Sequence, residues 1–335
     1  MLILLAIVPL VFTQKITTEE NCKLKENCGA HYLGPRVRQL RSIGGKRAVR
    51  NEFPWIVGYF IEKHGLPKPE GTTKALVGGC SGVQISKRHI VTAAHCVVTY
   101  DRQECKNEKI PKEQRKASYT VDKACFITIF IGSGELKPTP EKPTTYSVKN
   151  ITVHKDYNPC SVTEDIAVIE VTPDISHEHG SPICMLNKDE EEPDDFTAVG
   201  FGSDPASHPQ GHDILYYLQY VNLNGPRYKK HRIVLFDKTK SICGGDSGGP
   251  LTQTRNDKRY TLLGVTIAAD PTCSIKSPKT KRKSVFLDVY YFVEWICDIT
   301  GECLSILNCM SSSSSSRGKI VLTNHYFHLL LIFSG

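Results

Sequence analysis

The sequence of 335 residues lacks three patterns, and each absence argues against a class of protein. No apolar run reaches the roughly 20 residues that a transmembrane helix needs, so we expect no firm membrane association. No Cys-x-x-Cys pair is present, which argues against a structural zinc site, and we expect neither a metal nor a cofactor. The net charge of +7 is mild, and the densest basic run, Lys276 to Lys283, has no interleaved aromatic residue, so nucleic acid is not an expected partner.

The apolar run that opens the chain indicates a secreted, extracellular protein. Met1 to Phe12 is almost wholly apolar but too short to cross a bilayer, which is typical of a secretory signal. We expect a signal peptide at residues 1–14 and a pro-segment at residues 15–41. The alternative is a buried N-terminal strand or helix, but no strand or cap signal flanks the run.

Cysteine and asparagine patterns fit the same compartment. Thirteen cysteines at irregular spacing favour a disulfide framework, and the odd count leaves at least one thiol free or bound to another chain. Asn150 opens the single Asn-x-Ser/Thr sequon, so it is the expected glycosylation site and its segment is expected at the surface.

From Phe53 onward, short β-rich runs alternate with turns, the pattern of an all-β barrel or sandwich. One helix is predicted at Tyr290 to Ile299 from the spacing of its apolar residues. Two charged insertions, Glu62 to Lys74 and Val97 to Ala124, are expected to be surface loops. The predicted strands are Trp55–Ile61, Leu76–Ile85, Phe126–Gly132, Tyr146–Val153, Ile166–Val171, Ala198–Gly202, Tyr216–Leu223, Arg232–Phe236, Leu262–Ala268 and Val285–Val289.

The end of the chain, residues 300–335, differs in composition from the rest. Six serines, Ser311 to Ser316, precede a mostly apolar stretch that is interrupted by polar residues. We expect a disordered tail, and the alternative is a signal for a lipid anchor at the serines.

A serine enclosed by glycines is the candidate nucleophile. Ser247 lies in Gly-Asp-Ser-Gly-Gly-Pro, where glycine would let a substrate carbonyl approach the backbone N–H groups. Its hydroxyl needs a base, and His95 is the candidate because the pKa of histidine suits proton transfer near neutral pH. Asp165 opens an apolar run, where a buried carboxylate needs a partner such as an imidazole N–H. Taken singly, each could be structural: an ordinary turn, a packed histidine or a capped strand.

Three motifs together resemble the trypsin and chymotrypsin family of serine endopeptidases, peptidase family S1. They are Thr-Ala-Ala-His-Cys at 92–96, Asp-Ile-Ala-Val at 165–168 and Gly-Asp-Ser-Gly-Gly-Pro at 245–250, in the family's order. The resemblance covers residues 42–299 and implies two antiparallel six-stranded β-barrels with a C-terminal helix and a catalytic cleft between the barrels. The leader and the insertions are more weakly similar to divergent nematode members.

The resemblance also implies a role for each residue of the site. His95 would be the general base, Asp165 the residue that orients it, and Ser247 the nucleophile. The N–H groups of Gly245 and Ser247 would form the oxyanion hole.

Activation by cleavage is a further implication of the resemblance. By register, an activating protease would cut between Arg41 and Ser42, and the new amine would pair with Asp246. Family members usually begin with Ile or Val here, and burial of such a side chain contributes about 1.5 to 3 kcal/mol. With Ser42 in that place, we expect the switch from zymogen to enzyme to be weaker or differently triggered.

The family's disulfides imply three pairs: Cys80 with Cys96, Cys243 with Cys273, and Cys28 with Cys184, which would keep the pro-segment attached. In the second insertion we expect Cys105 to pair with Cys125. The cysteines left unassigned are Cys22, Cys160, Cys297, Cys303 and Cys309.

The predicted substrate pocket is neutral. Ser241, six residues before Ser247, replaces the Asp that gives trypsins their preference for Arg or Lys, so a cationic side chain would be buried unpaired. Ile242, Ala269 and Ser284 would form the walls, and the last two replace common glycines. We expect a narrowed pocket that prefers small or medium apolar side chains at P1, the residue before the cut.

A last departure concerns the support of Asp165. By its spacing, Ile267 takes the place of a serine that supports the catalytic acid in the family, although a shift of one residue would put Thr266 there.

The sequence thus predicts a secreted serine endopeptidase, made as a zymogen, with protein or peptide substrates and serpin-type or other protease inhibitors as partners. The alternative hypothesis is a weak or inactive homologue that acts as a binding or regulatory module, which Ser42 and Ile267 favour.

Overall fold

In the computed structural model, the described residues belong to one unit, Met1–Leu304, and the second unit, Ser305–Gly335, lies outside them. Most of the predicted signal peptide and of the tail is therefore outside the description. The described residues are 13–30, 45–49, 51–62, 76–111, 114–132, 145–186, 195–203, 217–269 and 281–303.

Strands dominate both parts of the chain. The first part contains α1 (Thr18–Asn27), β1 (Lys46–Arg47), β2 (Ile56–Glu62), β3 (Leu76–Gln84), β4 (His89–Thr92), β5 (Val98–Tyr100), β6 (Tyr119–Val121), β7 (Ile127–Ile131), β8 (Thr145–Val153) and β9 (Ala167–Thr172). The second part contains β10 (Cys184–Met185), β11 (Asp195–Gly200), β12 (Gln219–Asn224), β13 (Arg227–Tyr228), β14 (Arg232–Asp237), β15 (Pro250–Thr254), β16 (Tyr260–Ala269), β17 (Arg282–Asp288) and α2 (Val293–Thr300).

The first part closes into a six-stranded antiparallel barrel in the order β2-β3-β4-β9-β8-β7. Its sequence explains the closure, because the apolar residues of β7 alternate and bury Ile127, Ile129 and Ile131 on one face. In β9, five residues from Ala167 to Val171 are buried. The barrel therefore has a continuous apolar interior, and its strand ends are fixed in register.

The second part, together with β1 from the first part, forms a nine-stranded sheet whose main path is β1-β12-β11-β15-β16-β17-β14-β13. The short strand β10 joins the sheet by parallel pairing with β16. Its interior is a separate apolar cluster that includes Phe196, Leu251 and Phe286. The all-β, trypsin-like fold expected from the sequence is confirmed, and the short strands extend the second sheet beyond six.

The predicted closing helix is present in a modified form. A 3-10 turn at Val289–Phe292 leads into α2, which ends at Gly301 in the left-handed conformation with φ 79°. Glycine suits this cap because it has no Cβ to clash at positive φ. No helix among the described residues is long and apolar enough to span a membrane.

The helix α1 was not predicted, because the segment shows no sustained apolar period. Thr17 and Glu20 form a capping box, in which each side chain accepts a hydrogen bond from the other residue's backbone N–H. The segment is tied to the core by the Cys28–Cys184 disulfide and by a hydrogen bond from Ile16 N to Thr300 O of 2.7 Å. A Thr-x-x-Glu pattern was thus the only sequence signal for this helix.

The predicted pairing of Cys105 with Cys125 is wrong. Cys105 is bonded to Cys160, and Cys125 is an exposed free cysteine. The reason is that the loop after β5 folds toward the loop before β9, where Asn158 Nδ2 donates to Arg115 O at 2.9 Å. Cys125 instead lies in a 3-10 turn after β6. The second insertion is also not a plain loop, since β5 and β6 pair within it.

Candidate active site

Strand pairing brings His95 and Asp165 together although 70 residues separate them in the sequence. Thr92, at the end of β4, pairs with Ala167 at the start of β9, so the turn after β4 faces the segment that precedes β9, where Asp165 lies two residues before the strand. His95 lies in a 3-10 turn, Ala94–Cys96, which the Cys80–Cys96 disulfide fastens to β3. The barrel's register therefore determines their contact.

Asp165 has no exposed surface, and His95 donates to both of its carboxylate oxygens. The backbone N–H of His95 donates to Oδ1 at 2.8 Å, and the ring Nδ1 lies 2.7 Å from Oδ2. Because an ionised carboxylate can only accept, Nδ1 carries the proton. Nε2 is thereby left with its lone pair, as a general base requires.

The pKa of His95 is set by two opposing effects. Burial alone would lower this pKa, but the charge of Asp165 and its hydrogen bond to the ring outweigh burial and raise it above 6.5. The imidazole is therefore a stronger base than a free histidine.

The Ser247 loop is docked on the first barrel. Ser81 of β3 holds it twice, by donating from N to Ser247 O at 2.8 Å and from Oγ to Gly245 O at 2.9 Å. Gly248 has a φ of 80°, and a Cβ there would collide with Thr92 Oγ1 and the Ser81 carbonyl. This close approach requires glycine and brings the serine to the same strand end as His95.

Within the described part of the chain, Ser247 Oγ makes no hydrogen bond to His95. The Nε2 atom of His95 lies 3.7 Å from Cys96 Sγ. Catalytic hydrogen bonds are often long in free enzymes and shorten when substrate binds. The N–H groups of Gly245 and Ser247 have no acceptor among the described residues. Both donors are thus available to a substrate oxygen, and the φ of 99° at Gly245 again suits glycine.

The carboxylate of Asp246 is enclosed, although the residue as a whole is partly exposed. It accepts hydrogen bonds from Gly202 N at 2.7 Å and from Cys243 N at 2.8 Å. Burial raises the pKa of Asp246 to about 6, and these two bonds only partly offset that rise. A Cβ on Gly200 or Gly202 would collide with the carboxylate.

A small cavity of about 20 Å³ adjoins Asp246 and is lined in part by Ser241 and Ile242. This volume is close to that needed for one water-sized group. The nitrogen of an amine would fit this volume.

The expected pocket residues differ in environment. Ser241 is buried and its Oγ donates to Ile242 O at 2.9 Å. Ile242 belongs to the apolar cluster of the second sheet. Ala269 is half-buried and lies opposite the buried Ser284 in the pairing of β16 with β17.

Neither candidate for the support of Asp165 reaches it. Thr266 holds the Ser247 loop through its backbone, but its buried Oγ1 has no hydrogen-bond partner among the described residues. Ile267 is buried at a bulge between β16 and β17. Within the described residues, therefore, no hydroxyl donates to Asp165.

Several predicted residues lie outside the described ranges, namely Arg41, Ser42 and Cys273. Cys243 is disulfide-bonded. Asn150 lies on β8, and its Nδ2, the atom that would carry a glycan, donates to Thr13 Oγ1 at 2.9 Å.

One cluster of side chains has the spacing of a metal site but not the chemistry. Cys80, His95 and Cys96 place their donor atoms within 4.8 Å of one another. The two cysteines form a disulfide and therefore cannot act as thiolate ligands.

We expect the His95 imidazole to titrate above pH 6.5 and Asp165→Asn to lower its pKa, because burial then acts without the opposing charge. NMR titration of the ring protons measures both values. Asp174→Asn, which removes a carboxylate paired with Arg88, is the control and should leave the titration unchanged. An equal pKa in Asp165→Asn and the parent would show that Asp165 does not act on the ring.

Comparison with known proteins agrees with this geometry. The family model described as Trypsin matches residues 42–296. Chymotrypsin-2 of Vespa crabro is 26% identical over 76% of this chain and 97% of its own length. Serine protease filzig of Drosophila melanogaster is 26% identical over 82% of this chain but only 15% of its own length, and phenoloxidase-activating factor 3 of Holotrichia diomphalia is 27% identical over 63% and 60%. The chain thus spans less than two thirds of the length of several relatives. Because the family match covers most of the chain, this protein belongs to the trypsin family.

Proposed function

We propose that this protein is a secreted serine endopeptidase, made as a zymogen, that hydrolyses protein or peptide substrates. The observation that carries the proposal is the buried Asp165 carboxylate bonded to Nδ1 of His95, beside a loop that presents Ser247 and two unused N–H donors. Family membership and the names of the relatives support the same activity.

The geometry supports catalysis in two stages. In the first, Nε2 of His95 takes the proton of Ser247 Oγ as the oxygen attacks the substrate carbonyl, and the N–H groups of Gly245 and Ser247 receive the developing oxyanion. Asp165 stabilises the imidazolium, which then gives its proton to the leaving amine. In the second stage, water attacks the carbonyl of the acyl-enzyme with His95 again as the base, and the peptide acid is released from Ser247. Since the base must be neutral, activity rises as pH rises through the pKa of His95.

Active-site labelling tests the activity. After cleavage behind Arg41, a fluorophosphonate should label the parent protein, while Ser247→Ala removes the nucleophile and His95→Ala lowers peptide hydrolysis by at least about 10⁴-fold. His177→Ala, an exposed histidine, is the matched control and should keep full activity. No labelling of a verified cleaved parent would favour the alternative, an inactive homologue that acts as a binding or regulatory module. One observation favours that alternative: among the described residues, no hydroxyl group donates a hydrogen bond to the Asp165 carboxylate.

Activation is proposed to act through Asp246. Cleavage by an activating protease after Arg41 frees the amine of Ser42, and its ammonium supplies the counter-charge that the carboxylate does not find among the described residues. The cavity beside Asp246 has room for such a small group. Pairing would hold the backbone of Gly245 in the position in which its N–H serves the oxyanion hole.

Stability against pH tests this pairing. In the uncleaved chain the raised pKa of Asp246 means that its contribution is full below about pH 3.8 and is lost as pH rises through about 6. The Ser42 ammonium should lower this pKa, so the cleaved chain should not show that loss. Thermal unfolding of both forms between about pH 4 and 7 measures the difference. Asp246→Asn should abolish it, and identical curves for both forms of the parent would contradict the pairing.

Specificity is proposed to favour small or medium apolar residues at P1. Ser241 offers no negative charge, so a buried Arg or Lys side chain would have no counter-ion there. Ile242, Ala269 and Ser284 are proposed to narrow the pocket.

Paired peptides test this preference. A substrate with Leu at P1 should be cut with a kcat/KM at least about 100-fold above one with Arg, because an unpaired buried ion is costly. Ser241→Asp should narrow or reverse that ratio, and Ser241→Thr is the neutral control. A higher kcat/KM of the parent for the Arg substrate would contradict the proposal and show that another residue supplies a negative charge to the pocket.

The proposed setting is extracellular, with a glycan at Asn150 and serpin-type or other inhibitors as partners. Several relatives carry names of zymogen systems, including proclotting enzyme of Tachypleus tridentatus and CLIP domain-containing serine protease B14 of Anopheles gambiae. These names support a protein substrate and an activating protease for this chain.

A further inference from the structure

The loop that carries Asp165 has an unusual backbone. Val162 and Glu164 both have positive φ angles, 54° and 49°, and neither is glycine. Such residues persist only where surrounding contacts hold them. The loop therefore depends on neighbours to keep its shape, and its shape decides where Asp165 points.

Part of that support comes from the loop's own side of the molecule. Cys160 is bonded to Cys105, and Asn158 pairs with Thr163 across the turn. These ties fix the start of the loop, and a hydrogen bond from His154 N to Ile166 O at 3.1 Å fixes its end, which leaves the carbonyls of Ser161 and Val162 and the side chain of Glu164 to other contacts.

The second sheet also supports the loop. Arg232, the first residue of β14, donates from Nη2 to two consecutive carbonyls, Ser161 O at 3.0 Å and Val162 O at 2.7 Å. Hydrogen bonds from a charged, half-buried guanidinium are stronger than those between neutral groups. One side chain therefore fixes the peptide units at which the backbone turns.

A second contact comes from the adjacent residue. His231 Nδ1 lies 3.0 Å from Glu164 Oε1, and Glu164 directly precedes Asp165. The ring of His231 stacks on Tyr291 with centroids 4.4 Å apart. The imidazole is thus itself braced against the 3-10 turn that precedes α2.

The backbones of Arg232 and His231 are themselves bonded to the second sheet. Arg232 pairs with Leu287 of β17, and Asp288 N donates to His231 O at 2.9 Å. The sheet therefore fixes where the side chains of Arg232 and His231 begin, and their hydrogen bonds place the Asp165 loop relative to the sheet. Among the described residues, only His95 donates hydrogen bonds to the Asp165 carboxylate, so the orientation of Asp165 depends on the shape of this loop as well as on that pairing.

We propose that Arg232, assisted by His231, is a positioning residue that holds the Asp165 loop from the second sheet and so aligns His95 with Ser247. This role rests on the proposed protease function. It connects the two halves of the site, since the same sheet also carries the Ser247 loop. Neither residue contacts the substrate in this role.

Arg232→Met, which keeps the apolar stem and removes both donated hydrogen bonds, tests the proposal. We expect kcat to fall about 10- to 100-fold with KM within about twofold, because misplacement of the triad affects chemistry more than binding. The low-field proton resonance of His95 Nδ1–H should broaden or shift, since it reports the bond to Asp165 directly. Arg232→Lys should recover part of kcat.

Arg227→Met is the matched control, because Arg227 lies on the neighbouring strand β13, is exposed and faces the ring of Phe236. It should leave kcat and the resonance unchanged. If Arg232→Met does not fold, His231→Phe keeps the stacking and removes only the contact to Glu164, with an expected loss in kcat of about two- to fivefold.

An unchanged kcat and an unchanged resonance in the folded variant would overturn the proposal, even if the melting temperature falls. The resonance also separates this proposal from the protease function. A parent protein that is not labelled by fluorophosphonate would refute the function, while loss of the resonance in Arg232→Met would still support the positioning role.

Discussion

A charged carboxylate without exposed surface needs hydrogen-bond donors, and Asp165 receives both of its donors from His95. This requirement constrains much of the first barrel. The register of β4 against β9 must be correct to one residue, because a slip would turn the side chains to the other face. The Cys80–Cys96 disulfide then fixes the turn that presents the ring. The electrostatics of one buried group thus depend on the closure of the whole barrel.

Close backbone packing is the second requirement of the site. Gly248 lies against β3 and β4 where a Cβ would collide, and Gly200 and Gly202 leave room for the Asp246 carboxylate. These contacts join the Ser247 loop to the first barrel on one side and to its own sheet on the other. Larger residues at these positions would separate the nucleophile from its base.

Much of the architecture could be predicted from the sequence, because short apolar runs and turn residues are local signals. The family was recognisable for a different reason, since three motifs have to occur in one order. Contacts that depend on where loops meet in space could not be predicted. Cys105 pairs with Cys160 because two distant loops converge, and Arg232 reaches Val162 across the two halves of the fold. Neither contact leaves a periodic trace in the sequence. The helix α1 had one local signal, its capping box, but no apolar stripe.

The attachment of the N-terminal segment has a consequence for the protein in dilute solution. Cys28 bonds to Cys184, Gly29 N donates to Pro182 O at 2.8 Å, and Tyr260 N donates to Gly29 O at 3.0 Å. If cleavage divides the chain, the shorter piece stays in place at a fixed effective concentration. Binding of the shorter piece to the rest of the molecule is then a first-order process, so dilution of the cleaved protein does not separate the two pieces. Cys22 in the same piece is also disulfide-bonded, so the order of reaction changes from first to second only when Cys22 and Cys28 are both reduced.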